Sequence, residues 1–415
     1  MIAVITAVAI CLVIVNEFGT STTIDLMQSR NNLDQMRAHF LARSSLNLSE
    51  LIVRLQQRLD NASADFQQLQ GVQITDFADP LMAAFGGDAE QVQAAIGLGL
   101  GQTKGLGADI GTFGVRITPV DGKINVNCAA SPSDRALLAR SLQSLLYPAA
   151  FDPIFEEADA EGWRRDRRTQ VAAIIDYIDS DQSRIEITDD RPPESSGGPE
   201  DYGYENLRDP YKPKNNKLDS VAELKLVRGI DDRFWTLFGG SFRVRGGCKV
   251  NLRALDDAKV VAAVISLAAK DASDPVLRDP AALWAIANLV LTAKQFGFYF
   301  VEPGEFAAFV KDPAAAFAGL AAGDGSAGAA ASIPGLPQLP AGLTGIELDT
   351  QKLNQVAASG PIETYQVEAW SEVDRTPFLP ARRTIRAFWS QKHVNQQARN
   401  PQLTRTGAWL HLREE

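Results

Sequence analysis

Cysteine and histidine are scarce in this 415-residue chain, three of each. His39, His393 and His411 stand far apart, with no cysteine or second histidine at ligand spacing. That pattern excludes a zinc site and imidazole-based catalysis. Cys11 lies in an apolar N-terminal run, which leaves Cys128 and Cys248 as the one pair beyond it. Two readings stand for that pair, a disulfide in an oxidising compartment or two small buried thiols. Positive charge is also short, with 41 Lys and Arg against 51 Asp and Glu and a formal net charge of -10. An acidic surface repels phosphate backbones, so no nucleic-acid partner is expected, and cations suit it better. The glycine-rich stretch GLGLGQTKGLGADIG (97–111) lacks a strand-loop-helix frame, and its Lys104 is not followed by Ser or Thr. It reads as a flexible connection, not a phosphate loop. With no nucleophile-base pair either, the chain is not expected to be an enzyme.

Apolar residues are plentiful, at 45% against 22% charged, and the length exceeds what one core usually serves. Residues 1–15, MIAVITAVAICLVIV, are almost entirely apolar, and no Lys or Arg precedes them. A secretory signal would carry a basic start and a small-residue cleavage site, so the run reads as a retained anchor. It is shorter than the ~20 residues that span a bilayer core. No proline occurs from Thr23 to Leu69, however, and Met36, Phe40, Leu41, Leu48, Leu51, Ile52, Leu55 and Leu59 recur at helical spacing. One helix over 1–69 is the expectation, and its first half needs lipid or neighbouring helices to cover it. The competing reading breaks it into an anchor and a separate soluble helix at Gly19 and the Thr/Ser run 20–23.

Beyond the helix, Gly114–Thr118 and Lys123–Asn127 flank an Asp-Gly turn and predict a hairpin. Ile362–Ser371 and Arg382–Ser390 read as late strands of the same sheet. Between these groups the spacing predicts helices over 134–146, 163–178, 220–228, 256–270, 281–296 and 303–311, with a capping box at Ser220 and Glu223. The expected division is a helix over 1–69, first strands over 70–127 and an inserted helical domain over 128–312. An Ala/Gly/Pro-rich loop over 313–345 and C-terminal strands with a tail over 346–415 complete it.

The acidic loop 176–216 carries the one concentration of oxygen ligands. Asp179 and Asp181 are one residue apart at a helix end, and Glu200 and Asp201 form a second pair. A hard cation takes six to eight oxygens, and a long loop suits calcium better than magnesium with its tight octahedron. Asp189, Asp190 and Glu194 add charge beside Pro192-Pro193, so the bland alternative is a solvated acidic loop. No EF-hand spacing is present. Glycoside hydrolysis by paired carboxylates is disfavoured because no aromatic-lined cleft signature accompanies them.

Four stretches, GKINVNCA (122–129), AAIIDYIDSDQ (172–182), GGPEDYGY (197–204) and NNKLDSVAELKLVRG (215–229), together with the first helix, resemble in order and spacing the minor pseudopilin K family of type II secretion. The resemblance implies an α+β, type IV pilin-like fold with a long N-terminal helix, a small antiparallel sheet and a large inserted helical domain. It implies a structural subunit at the tip of the pseudopilus that helps to initiate filament assembly and export across the outer membrane. The implied location is the inner membrane with the head in the periplasm. The implied partners are the minor pseudopilins I and J, then H and the major pseudopilin, with prepilin peptidase for processing. Ile5 fits a subunit with nothing above it in the filament. By matching motif, calcium ligation falls to Asp179, Asp181, Glu200 and Asp201. KVNLRAL (249–255) repeats the INVN step at the start of a helix-hairpin-helix-like subdomain, and the two equivalent corners would be stapled through Cys128 and Cys248. The alternative is a minor pilin-like protein of another type IV filament or a DNA-uptake system, gripping DNA through those helix-hairpin-helix-like segments; the acidic balance opposes it.

Overall fold

The computed structural model describes residues 1–62, 73–79, 82, 111–156, 166–188, 192–201, 203–295, 298, 300–316, 344–375, 378–394 and 406–415. The glycine-rich stretch 97–110, Asp189, Asp190 and the loop 317–343 lie outside them. In chain order the helices are α1 (Ile2–Ala62), α2 (Pro132–Leu146), α3 (Asp152–Glu156), α4 (Arg167–Ile178), α5 (Asp232–Phe238), α6 (Ala258–Ala268), α7 (Pro275–Arg278), α8 (Pro280–Gln295), α9 (Pro303–Lys311) and α10 (Thr350–Val356). The strands are β1 (Thr112–Pro119), β2 (Ile124–Asn125), β3 (Ser183–Glu186), β4 (Glu194–Pro199), β5 (Phe242–Arg243), β6 (Val250–Asn251), β7 (Ala357–Ala358), β8 (Thr364–Val373), β9 (Ala381–Val394) and β10 (Thr406–Glu414).

The chain forms two units: Met1–Leu59, Gln73–Thr118 and Tyr365–Glu415 make the first, and Asp60–Val72 with Pro119–Thr364 the second. α1 runs unbroken for 61 residues, and all of it up to Leu59 belongs to the first unit. Thr20 and Thr23, where a break is conceivable from sequence, return their hydroxyl protons to the carbonyls of Glu17 and Gly19 and stay within the helix. Its buried seam is Ala38, Ala42, Ser45, Ser49, Ile52 and Gln56, alternating steps of four and three that keep one face inward. Small side chains there let the sheet approach: Ser45 donates to the Gly114 carbonyl at 2.7 Å, and Ser371 donates to that of Ala38 at 2.6 Å. Met36, Phe40, Leu51 and Leu55 stay exposed instead. The sheet order is β1-β8-β9-β10. Glu372 meets Arg382 and Glu368 meets Arg386 across β8 and β9, so these run opposite ways, as do β9 and β10.

The expected hairpin does not form. β1 pairs with β8, while β2 pairs in parallel with β5 inside the second unit. The Asp-Gly turn is present, but Asp121 is buried and ion-paired to Arg243, and a Cβ at Gly122 would collide with the backbone of Ala254. The turn therefore sends the chain into a new core and away from its own strand. The predicted helix over 220–228 is a 3-10 helix, Val221–Leu226, with the Ser220/Glu223 capping box in place. The other predicted helices correspond to α2, α4, α6, α8 and α9.

The second unit contains two short parallel ladders, β2 with β5 and β6 with β7. In each, an asparagine accepts from the N–H two residues on, Asn125 from Asn127 and Asn251 from Arg253, both at 3.0 Å. Its amide then donates to a distant carbonyl, Gly246 or Gly360. Asparagine both accepts and donates, so one side chain fixes the turn and the crossing chain together. Two-residue ladders are weak alone, and one shared core holds them, including Leu138, Leu142, Ile174, Val260, Ile286 and Val290. Cys128 and Cys248 form a disulfide with Cα atoms 5.6 Å apart.

Candidate metal centre

α4 starts at Asp166, whose carboxylate accepts from the Thr169 N–H at 3.0 Å. Its Val171, Ile174 and Ile175 are buried in the core. Asp176 and Asp179 follow three apart and so share one helix face at its C-terminal end. Asp179 closes the helix: its N–H donates to the Ile175 carbonyl and its backbone turns extended. The chain returns through β3 and β4, where Ser183 stands opposite Pro199, so Glu200 arrives back at that helix end. Asn215 supplies the third limb. It is the one described non-glycine residue at positive φ, 47°, a conformation in which Asn is enriched. Its N–H donates to the Tyr177 carbonyl, and its amide donates at 2.7 Å both to Glu200 Oε2 and to the Asp181 carbonyl.

One oxygen from each of Asp176, Asp179 and Glu200 lies within 4.8 Å of the others. These residues are only 7%, 3% and 7% exposed. Asp176 Oδ1 accepts from the Ile185 N–H at 3.0 Å. Both oxygens of Asp179, Oε1 of Glu200 and Oδ1 of Asn215 are buried and accept no hydrogen bond among the described residues. Unsatisfied acceptors in a low-dielectric site are costly, and three carboxylates together add repulsion. Burial, then the Asp179 and Glu200 charges, pushes Asp176 up to about 8. Glu200 rises to about 7 through burial and the charge of Asp179. Asp179 rises to about 6 through burial and Asp181, with Arg135 opposing. A cleft of about 280 Å³ lined by Gln182, Glu200, Asp201, Lys212 and Asn215 opens beside the cluster. Hard oxygen donors, negative charge and orphaned acceptors suit a divalent cation that prefers oxygen.

Of the four residues that the motif points to, the cluster contains Asp179 and Glu200. Asp181 stands at its rim with its side chain 45% exposed, accepting from the Ser183 N–H. Asp201, 38% exposed, faces Lys212 at 4.0 Å. Asp176 and Asn215 are additions made by the fold. The three-residue step from Asp176 to Asp179 on a predicted helix is the sequence signal for the first, whereas nothing local in the sequence marks the second.

Residues 122–237, which include the whole cluster, match the family described as type II secretion system (T2SS), protein K. Over 128 residues the chain is 28% identical to the type II secretion system protein K of Aeromonas hydrophila, covering 31% of this chain and 35% of that protein. The chain thus spans about a third of the length of the curated relative it matches. A solved structure, the GspK-GspI-GspJ complex from the enterotoxigenic Escherichia coli Type 2 Secretion System, aligns at 13% identity and a TM-score of 0.40, covering 74% of this chain and 80% of that one. Residues 122–237 are thus what this chain shares with the type II secretion system protein K family, a match to about a quarter of its length.

Proposed function

We propose that this protein is a minor pseudopilin of a type II secretion system, a structural, non-enzymatic subunit. Its place is the tip of the pseudopilus, where it helps to start filament assembly and export across the outer membrane. One observation carries the reading: a protein K domain shares its chain with α1, a helix long and apolar enough to cross a membrane and unburied along its apolar stretch. Past that stretch, Leu33, Met36, Phe40, Leu51 and Leu55 remain exposed on α1. Such an apolar stripe calls for neighbouring helices. In this reading α1 anchors the chain in the inner membrane with the head in the periplasm, and prepilin peptidase processes the precursor. The minor pseudopilins I and J are the partners, followed by H and the major pseudopilin.

Calcium is the ion proposed for the cluster, held by Asp176, Asp179, Glu200 and Asn215, with Asp181 and Asp201 at the rim. When bound it supplies the charge that lets buried carboxylates stay ionised. The orphaned oxygens of Asp179, Glu200 and Asn215 support this fit. The functional reading is tested by co-expressing the tagged full chain with the minor pseudopilins I and J of the same system and purifying from detergent-solubilised inner membrane. A stoichiometric complex, weakened by Phe40→Asp, is expected. Recovery of the chain alone from the soluble fraction would refute it.

A further inference from the structure

Arg135 projects from the first turn of α2, a helix capped by Ser131, whose hydroxyl accepts from the Asp134 N–H at 3.1 Å. Its Nη1 lies 3.4 Å from Asp179 Oδ2, and its Nη2 lies 3.4 Å from Asp181 Oδ2. The guanidinium thus bridges the buried carboxylate of the cluster and the exposed one at its rim. The side chain is 23% exposed, and its Nε is buried with no hydrogen-bond partner among the described residues. The fork is therefore not tied elsewhere. Charge-assisted bonds between guanidinium and carboxylate close to about 2.7–2.9 Å; here both Nη1 and Nη2 donate to Asp181 Oδ2 at a long 3.4 Å, while the contact to Asp179 balances charge without satisfying its acceptors. Asp179 keeps two oxygens without a hydrogen-bond donor although a full positive charge sits beside it.

We propose that Arg135 is the built-in counter-cation of this site: it holds Asp179 and Asp181 together while no metal is bound, and it sets how tightly a divalent cation binds. The proposal rests on the cation reading of the cluster. Arg135 and the ion carry the same sign and face the same oxygens, so each weakens the other's hold, and α2 becomes the element that responds to loading. A lysine would retain the charge without the planar fork, whereas glutamine removes the charge and keeps a polar side chain.

The test compares full-length wild type, Arg135→Gln and Arg135→Lys in detergent, by calorimetric titration with calcium chloride and by melting temperature in chelator and in calcium. Arg135→Gln should melt lower than wild type in chelator and bind calcium more tightly, by on the order of tenfold. Arg135→Lys should stay within about twofold of wild-type affinity. Calcium affinity of Arg135→Gln that is unchanged or weaker would overturn the proposal, and so would failure of that variant to fold in saturating calcium. Tenfold weaker binding by Arg135→Lys, on the order of 1.4 kcal/mol, would make the fork a ligand-orienting device, which also overturns it. If wild type itself shows no calcium response, the cation reading falls first and the proposal with it.

Discussion

Asp121 and Arg243 form a buried ion pair at 2.7 Å within the second unit. The Asp121 carboxylate also accepts from the N–H groups of Glu363 and Thr364, at 2.6 and 2.9 Å, and so ties the first residues of that unit's main segment to its last. Arg243 in turn donates to the carbonyls of Lys123, Arg245, Gly247 and Lys249. These bonds converge on two residues that are 4% and 3% exposed. A pair so well satisfied is worth little relative to an apolar replacement, but removing one partner strands the other charge in the core. Asp121→Ala or Arg243→Ala should therefore cost about 3–5 kcal/mol, read as a lowered urea midpoint with an unchanged slope. A loss below about 1 kcal/mol would place both groups in contact with water.

The disulfide closes a loop of 120 residues between Cys128 and Cys248. On the chain-entropy account a loop of that size contributes about 4–5 kcal/mol by restricting the unfolded chain. Reduction, or replacement of both cysteines by alanine, should lower the melting temperature by several degrees or more while leaving the proposed calcium response in place, because neither cysteine belongs to the carboxylate cluster. Equal stability of oxidised and reduced protein would contradict this.

The pattern of local signals explains which parts of this structure can be read in advance. The anchor helix and β8 and β9 declare themselves through long apolar or alternating runs, and α2, α4, α6, α8 and α9 through spacing and caps, whereas the short α3, α5, α7 and α10 carry no such spacing. The false hairpin arises because Asp121-Gly122 has the right turn chemistry. Its true partners, Arg243, Glu363 and Ala254, lie more than 100 residues away. β10 has no strong signal of its own although it places Trp409 against Trp389, since cross-strand pairing is set by the neighbour. The same applies to α1, where Leu41 and Ile52 of the large apolar residues are buried but Met36, Phe40, Leu51 and Leu55 are not, and Ala38, Ala42, Ser45 and Ser49 share the inward face because close approach to Gly114 suits small side chains. At the cluster, adjacency in sequence favours Asp181 and Asp201. The fold instead buries Asp176 and brings Asn215 against Glu200 through a hydrogen bond at 2.7 Å.

Protonation gives a second handle on the cluster. Asp179, Glu200 and Asp176 have folded values raised to about 6, about 7 and about 8, against roughly 4 when unfolded. The folded state then holds protons that the unfolded state has released. Stability from these groups is complete below about pH 4 and is lost as pH climbs through about 6, 7 and 8. In chelator the melting temperature should fall between about pH 5 and pH 8, and saturating calcium should flatten that slope by replacing protons with an ion. A melting temperature in chelator that rises over this interval would contradict a cluster of carboxylates held protonated by burial and mutual repulsion.

Substitutions inside and at the edge of the cluster separate burial from sequence adjacency as the basis of ion binding. Asp176→Asn keeps the size and the acceptor facing the Ile185 N–H but removes one of three mutually repelling carboxylates. In chelator above about pH 8, where the Asp176 carboxyl ionises, it should melt at or above the wild-type temperature, because the repulsion it relieves exceeds the hydrogen-bond strength it loses. In calcium the order should reverse. At a hundredfold excess over its dissociation constant, an ion that binds only the folded state adds about 2.7 kcal/mol, and Asp176→Asn should lose most of that increment. Asp201→Asn, on a side chain that is 38% exposed and 4.0 Å from Lys212, should leave both temperatures within about a degree, since exposed pairs contribute little. The opposite result, with Asp201→Asn abolishing the calcium response and Asp176→Asn retaining it, would move the ion out of the buried cluster and onto the loop surface.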